Sequence, residues 1–180
     1  MTYQLCVLAI VLNVAPLIAQ SGAPRNGNNL PPPPRSYTLR ARFKFDSVAS
    51  RGLRDLWQLS LTEQRERVAC LGTVLTRDTV FVTRVLLLEP GRADSLGVSA
   101  QPSIDTCGPP DWQGTVHTHI AHLDDGSPYD RFSGADRGVM QLWWRKWRVD
   151  GAFCVLYTEM EAYCEVNGAT GIRLPRRGAY

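Results

Sequence analysis

The sequence predicts a single α+β domain, and three observations carry that prediction. The chain has 180 residues, room for one domain of about 100 to 200 residues. Apolar residues make up 44% and charged residues 21%, as in chains that fold around a core rather than stay disordered or cross a membrane many times. The elements run strand, helix, three or more strands, helix, strands, instead of repeating βαβ units. The length also excludes a (β/α)8 barrel, which takes about 200 to 250 residues. A formal net charge of +3 is too mild and too well mixed to point to a polyanion.

Residues 5–19, LCVLAIVLNVAPLIA, are apolar and uncharged but broken by Asn13 and Pro16. They fall short of the about 20 residues that span hydrocarbon, so no stable membrane span is expected. The segment fits an export signal over residues 1–21, with the small residues Ala19 and Ser21 at its end, although no positive side chain precedes Leu5. An exported protein, periplasmic or secreted, is expected; without a signal it is cytoplasmic. Residues 22–36 form a linker, because Pro31 to Pro34 favour polyproline II over a packed element. The folded body is placed at 37–175, followed by a short basic tail at 176–180.

Within the body, LRARFKF (39–45) alternates apolar and charged side chains at period two, which suits a half-buried strand. Residues 47–61 place Val48, Leu53, Leu56, Trp57 and Leu61 at spacings that include threes and fours, a helix weakened by Gly52. RVACLGTVL (67–75) and TVFVTRVLLL (79–88) read as a β-hairpin. Residues 90–110 read as a long polar excursion, and GTVHTH (114–119) as a short strand. Ser133 precedes Asp136 by three and can cap a helix. In that helix Met140, Trp143, Trp144 and Trp147 share a face and Arg145, Lys146 and Arg148 turn away. WWRKWR is therefore read as packing, and no nucleic-acid partner is expected. GAFCVLYTEMEAYCEV (151–166) is a further hairpin around Glu159 that sets Cys154 opposite Cys164, as a disulfide or as two buried thiols. Loss of a signal would remove Cys6 and leave the even set Cys70, Cys107, Cys154 and Cys164.

The chemistry gathers at the end of the GTVHTH strand. His117 and His119 are two residues apart, so both side chains lie on one face and can close on one ion. Asp136, in the first turn of the next helix, completes a His, His, Asp set that leaves the fourth position of a tetrahedral zinc open to water. Such a site also needs a base and an oxyanion donor. Glu66 stands just before a strand, and Ser133 just ahead of Asp136.

ERVACLG, GTVHTH and FSGAD together resemble the JAMM (JAB/MPN+) metalloprotease family, whose pattern is Glu, then His-x-His, then Ser-x-x-Asp. The match runs from about Phe43 to Val166. The resemblance implies a JAB/MPN-like mixed sheet flanked by helices. It implies one zinc per chain on His117, His119 and Asp136, Glu66 as general base and Ser133 stabilising the oxyanion. It also implies a peptide bond, or an isopeptide bond at a ubiquitin-like protein tail, as substrate; for an exported protein, secreted peptides, cell-wall cross-links or a partner's C-terminal tail are more natural targets. The alternative is an inactive binding or scaffold module on the same fold. The sequence leaves the oligomeric state open.

The chain departs from the family in two places. Ile120 follows the second histidine where the family has proline. The family serine stands eight positions after that histidine, where this chain has Ser127 with Asp130, whereas Ser133 requires an insertion. Ser133 and Asp136 are preferred because FSGAD runs directly into an amphipathic helix. Glu63 is the rival to Glu66, with a solvated helix-end charge as its ordinary role. His122 is a further candidate contact or a solvent-facing loop residue, and Asp124, Asp125 and Asp130 make its loop acidic.

Overall fold

Strand alternation decides what each side of this sheet carries, and the protein uses both sides. The computed structural model describes residues 39–76, 78–168 and 173–175. The expected signal, linker and basic tail lie outside the described residues. Among the described residues, nine strands and three helices follow in the order β1 (Leu39–Phe45), α1 (Ser47–Glu63), β2 (Val68–Leu75), β3 (Thr79–Leu87), β4 (Ala93–Asp94), β5 (Gly97–Val98), α2 (Gln101–Thr106), β6 (Gly114–Thr118), α3 (Gly134–Trp147), β7 (Gly151–Leu156), β8 (Ala162–Asn167) and β9 (Arg173–Pro175). No described helix is long and apolar enough to cross a membrane.

The fold is mixed and sheet-dominated. Seven strands close into a barrel in the order β1-β3-β2-β6-β7-β8-β9, while β4 and β5 form a separate ribbon. Closure comes from β1, which pairs in parallel with both β3 and β9. Gly114 sits where β6 meets β7 so closely that a Cβ would lie 1.8 Å from the Ala152 carbonyl oxygen, and its φ of 152° suits glycine alone.

Helix α1 begins at Asp46, whose carboxylate accepts from the Val48 and Ala49 amides at 2.9 and 2.8 Å. It buries Ala49, Leu53, Leu56, Trp57 and Ser60. The first four pack on one sheet face with Leu71, Val82, Val116, Cys154 and Leu156, forming the main core. Gly52, read from sequence as a weak point, is a clearance: a Cβ there would meet the Val85 Cβ at 2.9 Å.

The other sheet face carries α3. β7 is buried along its whole length, with Ala152, Cys154 and Leu156 in the α1 core and the alternate residues Phe153 and Val155 packed with Phe132, Met140 and Trp143. The Trp143 and Trp147 indoles donate to the Cys107 and Ile104 carbonyls at 3.2 and 3.0 Å, and Lys146 pairs with Asp105 at 2.6 Å. The tryptophan run thus packs α3 against the segment around α2. Residues 90–110 are more than a polar excursion, since they hold β4, β5 and α2. Disulfides join Cys70 to Cys107 and Cys154 to Cys164.

Candidate metal centre

Register and alternation assemble the site before any side-chain contact is considered. In the antiparallel pair of β2 and β6, Val68 faces His117, and the ladder continues as the Thr118 amide donates to the Arg67 carbonyl at 3.0 Å. Two residues on from the Val68–His117 pair, Glu66 falls opposite His119 on the same face. Val116 and Thr118 point the other way, Val116 into the α1 core and Thr118 to Ser60, whose hydroxyl is 2.7 Å away. The face bearing Glu66, His117 and His119 is therefore the one that α3 covers, and α3 brings Asp136.

His117 Nε2 and His119 Nε2 are 3.1 Å apart, and the Asp136 carboxylate oxygens lie 3.2 Å from the first and 3.6 Å from the second. Donors at the corners of a tetrahedron around an ion with bonds of about 2.0 to 2.1 Å are about 3.3 Å apart. The three side chains thus form a group that can hold a metal ion. His119 Nδ1 is 2.9 Å from the Tyr129 carbonyl oxygen, to which it donates, leaving Nε2 as the free donor atom toward the group. Asp136 is oriented by the Ser133 amide, which donates to its Oδ2 at 2.6 Å.

The electrostatics follow from crowding. Burial works to raise the Asp136 pKa, yet hydrogen bonding with His117, His119 and Ser133 holds the carboxyl well below the usual carboxylate range. Burial works against the charged form of His119, but Asp136, the Tyr129 carbonyl and Glu66 outweigh it and raise the imidazole. Glu66 is 5% exposed. Burial pushes its carboxyl up to about 7, opposed by His119 and reinforced by Asp136 and Asp94. A carboxyl with that pKa can exchange a proton at neutral pH.

These groups end a cavity of about 330 Å³, which Glu66, His117, His119, Ser133 and Asp136 all line. Ser133 caps α3, its Oγ accepting from the Asp136 amide at 3.1 Å. That bond uses a lone pair and leaves the hydroxyl proton free to be donated. The rivals are elsewhere. Ser127 turns to Asp125, Asp130 pairs with Arg131 at 3.3 Å, and neither lines the cavity. Glu63 forms ion pairs with Arg65 and Arg67. His122 lines the cavity from an exposed position. Ile120, where the family has proline, packs against the main core.

Two features escaped the sequence. Tyr129 acts through its main-chain carbonyl, which any residue supplies, so no side-chain signal marks it. Residues 96–100, from the excursion after β3, line the cavity although their sequence has no regular apolar period. Neither a family model nor a curated protein matches this chain. The site stands on its own residues.

Proposed function

We propose that the protein is an exported, JAMM-type zinc hydrolase of a peptide or isopeptide bond. The observation that carries this reading is the convergence of two histidine Nε2 atoms and a carboxylate at tetrahedral spacing, with Glu66 on the same face. Two imidazoles and one carboxylate suit zinc, and three protein donors leave a position free, as in catalytic rather than structural sites. The sheet with α1 on one face and α3 on the other supports a JAB/MPN-like arrangement. Two disulfides support an oxidising compartment.

When bound, zinc supplies Lewis acidity that brings water toward ionisation near neutral pH. The chain's own groups do the rest. Glu66 takes a proton from the water that attacks the carbonyl carbon and returns it to the leaving nitrogen as the C–N bond breaks. The Ser133 hydroxyl donates to the carbonyl oxygen as it gains negative charge. His117, His119 and Asp136 would hold the ion, and the Tyr129 carbonyl orients the His119 imidazole.

The test is zinc per chain on the purified protein, beside His117→Ala, Asp136→Ala and Asp130→Ala. The expected result is about one zinc, lost in the first two variants and kept in the third. A parent chain that takes up no zinc when it is offered would sink the reading in favour of an inactive binding module.

A further inference from the structure

The two carboxylates that line the cavity, Glu66 and Asp136, both belong to the metal centre. Beyond the metal centre its floor is Phe132, Met140 and Phe153, which are 8%, 2% and 2% exposed and belong to the second core cluster. Val68 of β2 and Val139 of α3 also line it, and two segments outside the barrel strands add to its walls, one carrying Leu96 and Val98, the other Leu123. Leu96 is 81% and Leu123 48% exposed. One exposed leucine means little. Two of them lining the same cavity as a buried apolar floor and the metal centre describe a ligand surface. No Lys or Arg lines it among the described residues.

We propose that this cavity is a specificity subsite for a bulky apolar side chain, of the leucine or phenylalanine class, on a residue flanking the scissile amide. The position of the amide rests on the hydrolase reading, whereas apolar recognition needs neither metal nor hydrolysis. A cavity of about 330 Å³ is at the small end of ligand pockets, fit for one large side chain. Glycine at that residue leaves the apolar floor against water. A lysine or glutamate side chain would give up its hydration to apolar walls.

Two arms test this on the full chain. In the first, N-acetylphenylalaninamide and N-acetylglycinamide are titrated into metal-free protein while the Met140 methyl resonance is followed. Phenylalaninamide should bind at least about tenfold tighter and shift that resonance. Val139→Trp, which fills the cavity, should abolish the difference. Equal binding, or a stationary Met140 signal, overturns the subsite.

In the second arm, zinc-loaded protein meets peptides carrying Phe, Leu, Ala, Gly, Lys or Glu at each position flanking the scissile bond. One position should favour Phe or Leu over Gly by about 10- to 200-fold in kcat/KM. Leu96→Ser with Leu123→Ser, both on exposed residues, should cut that preference. Cleavage that favours Gly or charge overturns the specificity and leaves the hydrolase standing. Tight phenylalaninamide binding with no peptide cleaved keeps the apolar recognition and overturns the hydrolysis.

Discussion

Glu66 shows how one residue can cost the fold something and serve a site. Its carboxyl titrates near 7 in the folded chain against an ordinary value of 4.5, chiefly because it is buried. Between those values the folded state binds more protons than the unfolded state, so stability falls as pH rises through that window. At about 1.4 kcal/mol per pH unit, the ionised carboxylate costs the metal-free fold about 3 kcal/mol above pH 7. Glu66→Gln removes the charge. The metal-free variant should therefore resist urea better than the parent at pH 8 and equally at pH 4. Zinc-dependent hydrolysis by the same variant should fall by about 10²- to 10⁴-fold. A purely structural buried glutamate would move the stability in this way but not the hydrolysis. A parent that holds its stability from pH 5 to 8 would show that Glu66 is not buried beside Asp136 as described.

The helix α3 ties the site to a local sequence signal, and its first turn has two tasks. Ser133 accepts the Asp136 amide and Asp136 accepts the Ser133 amide, a reciprocal cap that also aims the Asp136 carboxylate at both histidines. Ser133→Ala should lose about 1 kcal/mol of stability together with hydrolysis. Ser133→Asp keeps an N-cap acceptor but, ionised, donates no proton. It should restore much of the thermal stability and none of the activity; recovery of both would remove Ser133 from the oxyanion role. FSGAD and GTVHTH were legible because capping and strand alternation act within a few residues. The β4 and β5 ribbon and α2 were not. Leu96, Val98 and Ile104 stand among polar and small residues without a regular period, and their partners, the cavity and the Trp147 indole, are remote in sequence. Gly52 shows the same limit, because helix propensity registers its cost while the Val85 side chain that requires it lies on another element.

At the scale of the whole molecule, the alternation in residues 39–45 announced a strand but could not name its neighbours, and closure of the barrel through β1 and β9 is a long-range fact. The disulfides divide the same way. Cys154 and Cys164 are opposed in one hairpin and separated by 10 residues, a pairing the turn itself suggests. Cys70 and Cys107 are separated by 37 residues, and only the path of the chain after β3 brings them together. Loop-closure entropy then ranks them, at about 4 kcal/mol for the longer loop and about 3 for the shorter. They also hold different things. Cys154–Cys164 joins two strands that six residue pairs already bind. Cys70–Cys107 fixes the far end of the excursion whose residues 96–100 wall the cavity. The Cys70→Ser, Cys107→Ser double variant should therefore unfold at lower urea than Cys154→Ser, Cys164→Ser. It alone should speed amide hydrogen exchange across residues 93–107, because it frees a segment that few strand hydrogen bonds retain. Equal exchange in the two variants would mean that the wall is held by Trp143 and Trp147 of α3, whose indoles bond the Cys107 and Ile104 carbonyls, and not by the covalent link.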